Sequence, residues 1–221
     1  MPKSNDGTIQ LVRLNRVPVN IWIIGTAPLI MHKWSEKALK QMRESTGVSG
    51  GPRTKKGIRD PEEEAESAVY KFRENEPIAS GNIGFPASGF KSAVAGGCRF
   101  FDNLTLVETK QLIFIEGEIV DSDQLVHIFY RGEPKFREDA VRIQGGSNDL
   151  RYRYQFFPWW ACLTIQFTPT SISLDSIAAL VDAGGLGGVG EWRPSAPKSL
   201  SGTFGTFRLM TDEEKDEYEV E

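Results

Sequence analysis

Apolar and polar positions along this chain mark out a series of elements. Arg16 to Thr26, RVPVNIWIIGT, is dense in β-branched and apolar side chains and predicts a buried strand that Ala27-Pro28 ends. Ser35 is placed to cap a short helix over EKALKQMRE, and the Gly-, Ser- and Lys-rich stretch from Ser45 to Lys56 reads as a loop. Asp60-Pro61-Glu62 puts an N-cap, a first-turn proline and first-turn acids in sequence, so a helix is expected to about Arg73 with Ala65, Val69 and Phe72 on one stripe. Ser88 is expected to cap a second helix carrying Phe90, Val94 and Cys98 at a spacing of four. Gln111 to Val120 and Gln124 to Tyr130 predict two strands joined by a turn at Asp121-Ser122-Asp123, and residues 131–150 read as a charged loop. In ACLTIQF, Ala161, Leu163, Ile165 and Phe167 alternate onto one strand face. Ser173 caps a helix to Ala183, a glycine-rich loop follows, and Gly202 to Met210 is the last strand.

The order of these elements is close to βαββαβ with insertions. The expected fold is α+β, ferredoxin-like (RRM/RAMP-like), with one antiparallel sheet and helices on one face. The domain expectation is one unit over 1–210, with insertions near 45–60 and 131–156, and an acidic disordered tail over 211–221.

Composition narrows the chemistry. The 221 residues are 39% hydrophobic and 25% charged, as in a globular chain able to bury a substantial core. Two cysteines, Cys98 and Cys162, do not make a disulfide scaffold or a CxxC zinc site, and two histidines do not make a histidine-rich metal site. No apolar run approaches the roughly 18 residues of a membrane span, and the start of the chain lacks an apolar signal core, so a cytoplasmic protein is expected. The net charge of −4 is uneven. TDEEKDEYEVE at the end holds seven acids and one lysine, which leaves 25 basic and 23 acidic residues in the first 210. An acidic tail on a slightly basic body is common in proteins that handle nucleic acid, although a solubilising terminus has the same composition.

The candidate chemistry is concentrated in two places. Gly184 to Pro194, GGLGGVGEWRP, is followed by Lys198 and by GTFGTF. Gly187, Gly188 and Gly190 allow positive φ and an anion nest, Trp192 offers a stacking face, and Arg193 and Lys198 offer phosphate contacts. The segment is neither a Walker loop nor a dinucleotide fingerprint, and its plain alternative is a helix stop with Trp192 in the core. The second place is the basic and aromatic stretch from Arg131 to Trp160. Alternation in Arg151-Tyr152-Arg153-Tyr154 puts both arginines on one strand face and both tyrosines on the other, a pairing of charge and ring faces that single-strand binders use. A solvated edge strand is the plain alternative. Arg53, Lys55, Lys56 and Arg59 form a third basic group able to close over a bound strand, with a disordered basic linker as the plain alternative. His32, with Lys33 and Lys37, is the one candidate general acid or base for RNA cleavage. The acids from Asp60 to Glu66 read as helix-dipole partners rather than metal ligands. No catalytic residue, cofactor or metal is expected.

GLGGVGEWRP…GTFGTFRL, between the last helix and the last strand, resembles the glycine-rich loop of the RAMP superfamily, which includes RNA-binding backbone and processing subunits of CRISPR effector complexes. Over most of the chain, the phrases APLIMHKWSEKA (27–38), RDPEE (59–63), GFPA (84–87) and GVGEWRP (188–194) resemble a group of tailed-phage and prophage proteins. The resemblance implies a phage origin, and nothing in the chain matches a guide-repeat-processing site.

The expectation is therefore a non-enzymatic, phage-encoded protein that binds single-stranded DNA or RNA and assembles as a homo-oligomer along the strand. Arg151, Arg153, Arg193 and Lys198, with Lys55 or Lys56, would meet phosphates, and Trp192 and Tyr152 or Tyr154 would stack. The acidic tail would compete for the basic groove or recruit a protein partner. The alternatives are a phage structural or assembly protein that binds no nucleic acid, and an RNA endonuclease using His32.

Overall fold

A computed structural model describes residues 13–34, 59–142, 148–197 and 202–220. The helix expected after Ser35, the loop with Lys55 and Lys56, and Lys198 lie outside the described residues. The first described elements are β1 (Val17–Gly25), β2 (Leu29–Ile30), α1 (Pro61–Ser67), β3 (Tyr70–Lys71), β4 (Ile83–Pro86) and α2 (Ala87–Gly96). Then come α3 (Leu106–Leu112), β5 (Ile113–Ile115), β6 (Glu118–Val120), β7 (Asp123–His127), β8 (Phe129–Tyr130) and β9 (Lys135–Arg142). The last are β10 (Asn148–Phe156), β11 (Trp159–Phe167), α4 (Leu174–Gly187), β12 (Phe207–Leu209) and α5 (Asp212–Glu217).

The protein is mixed α+β, and its described strands form three antiparallel sheets where one was expected. The central sheet runs β12-β1-β11-β5, with β8 paired to the start of β11. β1 lies along β11 from Val17↔Phe167 to Ile24↔Trp160. Ile23, Trp159, Ala161, Leu163 and Ile165 form one face and share the main core with Phe90 and Val94 of α2 and Ile177, Leu180 and Val181 of α4. Trp22, Ile24 and Trp160 alternate with these residues and belong to a separate apolar cluster on the other face. The second sheet is β2-β10-β9 and the third is β3-β4-β7-β6.

Local signals set several elements. Asp60 caps α1 by accepting from the Glu62 and Glu63 N–H groups, and Ser173 caps α4 by accepting from Ser176. Phe90, Val94 and Cys98 are buried as their spacing requires, and so are Ala161, Leu163, Ile165 and Phe167. The β6–β7 hairpin turns at Asp121, whose φ is 53°.

Other boundaries differ from the sequence reading, each for a tertiary reason. α1 stops at Ser67, because Tyr70 and Lys71 pair with Gly84 and Ile83; Val69 is buried from the segment that follows the helix. α2 starts at Ala87 directly from β4, with Pro86 at its N-cap, so Ser88 is not a cap. The strand expected over 111–120 is three things: the end of α3, then β5 in the central sheet, then β6 in the third. Residues 135–142 and 148–150 are strand where a loop was expected, since β9 pairs with β10 from Lys135↔Gln155 to Arg142↔Asn148. α4 continues through Gly184 to Gly187. A side chain at Gly184 would meet the Ala93 carbonyl oxygen of α2, so glycine here lets the two helices touch backbone to backbone. The last strand is only Phe207–Leu209. Where an acidic tail was expected, Thr211 and Glu214 form a capping box, and α5 follows.

Candidate nucleic-acid interface

The β9–β10 hairpin and the glycine-rich segment meet at one side chain, Trp192. The guanidinium carbon of Arg153 lies 5.2 Å from the Trp192 ring centre and that of Arg137 lies 5.5 Å from it. Arg137 and Arg153 are register partners across the hairpin, which is why they share a face. Phe204, from the return of the glycine-rich segment, lies 5.9 Å from Trp192 and 5.2 Å from Arg137. The expected alternation is present: Tyr152 and Tyr154 both contact Phe136, on the face away from Arg153.

The backbone that holds Trp192 is knit tightly. Val189 donates to Gly205 O at 2.9 Å, Glu191 to Ile30 O at 2.9 Å, and Gly205 to Pro28 O at 2.8 Å. Gly190 has φ 78°, and a side chain there would run into the Ile30 carbonyl oxygen, so only glycine lets the segment approach β2. Trp192 itself has φ 51°, a left-handed conformation rarely adopted by a bulky residue. The anion nest is not formed as expected. Gly187 is in α4, the Gly188 N–H donates to Gly184 O, and those of Val189 and Glu191 are already engaged. Arg193 is half-buried and donates to Gly190 O at 2.7 Å.

Arg153 is not the exposed phosphate contact the sequence pointed to. It is 4% exposed; its Nε donates to His32 Nδ1 at 3.2 Å and its Nη2 lies 3.7 Å from Glu191. Its Nη1 is buried without a hydrogen-bond partner. His32 is held below its ordinary pKa by burial and by the Arg153 charge, with Glu191 opposing, so the neutral ring accepts from Arg153. The accessible basic groups are its neighbours, and they are paired. Arg137 holds Asp139 at 2.8 Å and Arg151 lies 3.3 Å from Asp149. Arg59, at the end of the basic loop, lies over Tyr152 and binds Asp149 at 2.7 Å and Glu64. Its two carboxylate partners raise its pKa.

The structure thus brings Gly190, Trp192, Arg193 and Arg153 together, with Arg151 along the same strand and Tyr152 on the reverse face. Arg137, Glu191, His32 and Phe204 complete the cluster. Their contacts span β2, the hairpin and the glycine-rich segment, and no short motif joins them. Among the described residues no group of three or more His, Cys, Asp or Glu side chains is placed to hold a metal ion, and no helix is long and apolar enough to cross a membrane. No protein-family model matches the chain, and no curated protein is significantly similar to it.

Proposed function

We propose that the protein is a non-enzymatic binder of single-stranded nucleic acid, of the phage type its sequence resembles, with a RAMP-like ferredoxin core. The sheet order β12-β1-β11-β5, in which the fourth, first, third and second core strands lie side by side with α2 and α4 on one face, supports that reading of the core. The observation that carries the functional reading is the meeting of the hairpin and the glycine-rich segment at Trp192. Two features some 40 residues apart, each with the composition of a single-strand site, form one surface there. Lys135, Arg137, Arg151 and Arg193 edge that surface, and a bound strand exchanges its phosphates for the carboxylates of Asp139 and Asp149. Because each exchange replaces one anion by another, the affinity at this surface is modest and strongly salt-dependent.

The test is fluorescence-anisotropy titration of labelled single-stranded DNA, single-stranded RNA and duplex DNA at several salt concentrations. Single-strand binding that weakens with salt, and weakens further on Arg151→Ala with Arg193→Ala, is expected. No binding at low salt would overturn the reading, and a large oligomer formed without nucleic acid would then favour a structural or assembly protein.

A further inference from the structure

A row of rings runs from the third sheet onto the face of the central sheet opposite α2 and α4. Phe72 stacks on His127 with centres 3.8 Å apart and planes 14° apart. His127 is followed by Phe129 at 6.1 Å and 22°, and Phe129 by Trp160 at 6.0 Å and 19°. Trp22 lies 5.9 Å from Phe129. Phe129 is 40% exposed, and a cleft of about 430 Å³ opens between it, Tyr130, Glu133 and Trp160. The row ends under α5. Tyr218 lies 4.5 Å from Trp160, and Trp160, Ile24, Met210 and Val220 close around it.

Two arginines flank this end, and both are held by α5. Arg208 makes a two-pronged bond to Glu214, at 2.7 and 2.5 Å, which draws the Glu214 carboxyl down to about 2. Arg131 lies 4.5 Å over the Tyr218 ring and 3.4 Å from Glu217. The cover fits its charges better than its core. α5 buries none of its own residues, and Trp160 Nε1 is left buried without an acceptor.

We propose that the surface beneath and beside α5, formed by Trp160, Phe129, Trp22, Arg131 and Arg208, is a second binding site for a single nucleic-acid strand. α5 occupies it as an internal substitute, with Glu214 and Glu217 in the place of phosphates and Tyr218 in the place of a base. This rests on the reading that the protein binds single strands, and it adds a site distinct from Trp192. Phosphates suit Arg131 and Arg208 as carboxylates do, a base stacks on Trp160 and extends the ring row, and its carbonyl or a phosphate oxygen gives the Trp160 N–H an acceptor. The acidic end therefore competes here, at Arg131 and Arg208, and not at the hairpin.

The test uses the full chain and labelled oligo-deoxythymidine and oligo-uridine of about 15 nucleotides. Glu214→Gln, Glu217→Gln and Tyr218→Ala together should tighten binding at least tenfold. They should also steepen the log–log salt slope by about 1.4, the share of two added phosphate contacts to a single strand. Adding Arg131→Ala and Arg208→Ala should return affinity to that of the unaltered chain. In the unaltered chain, saturating oligonucleotide should speed amide exchange over residues 214–220, a readout that needs no variant to fold. Equal affinity of the triple variant and the unaltered chain, or slowed or unchanged exchange over 214–220, would overturn this site and leave the Trp192 reading standing. Binding by the triple variant that Arg151→Ala with Arg193→Ala leaves unaltered would instead support this site and count against the other. No binding by either protein overturns both.

Discussion

Two arginine–aromatic clusters lie in this protein, and they differ in what surrounds the charge. At Trp192, Arg153 is buried, bonded to a neutral His32, and locked under a segment whose backbone only glycine at 190 allows. At Trp160 the ring is buried, but the side chains of Arg131 and Arg208 are 55% and 43% exposed and their partners come from one short terminal helix. The same residue types thus give a structural clasp in one place and a displaceable contact in the other. Burial decides between them: a desolvated charge must keep its partners, whereas an exposed one exchanges them at little cost.

The largest expected effect tests that contrast directly. Arg153→Ala should cost about 3 kcal/mol of stability, because it strips a buried cation from His32, Glu191 and Trp192. Arg208→Ala should cost less than about 1 kcal/mol, because its pair is exposed. Urea unfolding of both variants measures this, and equal midpoints would erase the distinction. Next in size, Gly190→Ala should cost about 2 kcal/mol, since a left-handed φ and a clash with Ile30 coincide there; a wild-type midpoint would show that the segment does not depend on its contact with β2.

A smaller effect comes from His32. Its folded pKa lies below the ordinary 6.5, so as pH falls past that value the unfolded chain takes up the proton first. Stability should decline from there until pH passes below the folded value, and His32→Asn, which keeps an acceptor and removes the titration, should flatten the decline. An unaltered pH profile in that variant would place the titration elsewhere. The smallest effect is local. Glu214, held at about 2, keeps its bond to Arg208 until strong acid. Its contribution is full above the ordinary carboxylate range and fades as pH falls through about 2. Tryptophan emission should therefore report the release of Tyr218 from Trp160 late in an acid titration; release near pH 5 would show that the Arg208 bond does not govern α5.

Much of this architecture is legible in the chain. The strand at 17–25, the Asp60 and Ser173 caps, the buried stripe of Phe90, Val94 and Cys98, and the alternation of Arg151 to Tyr154 all follow from local pattern. The two capping boxes, Thr105 with Glu108 and Thr211 with Glu214, were equally legible as T-x-x-E and mark helices that apolar periodicity alone overlooks. The β9 strand was not legible, because charged residues hold five of its eight positions, its apolar residues do not alternate, and only its pairing with β10 defines it. Nor was the ring row: His127 and Phe129 alternate in sequence, but Phe72, Trp160 and Tyr218 reach them from distant segments.

The sequence by itself determined the strand at 17–25, the starts of the helices capped by Asp60 and Ser173, which faces of the apolar elements are buried, and that glycine, tryptophan and arginine gather around the end of α4. These are properties of neighbours along the chain, within a few residues of one another. Only the tertiary structure decided which arginines are buried and which are exposed, which carboxylate each one holds, and that the acidic end folds onto Trp160. Those outcomes depend on solvent access and on how distant segments pack: Arg153 meets His32 from 121 residues away, and even Arg208 and Glu214, six residues apart, are set in place by the folding of the acidic end onto the sheet.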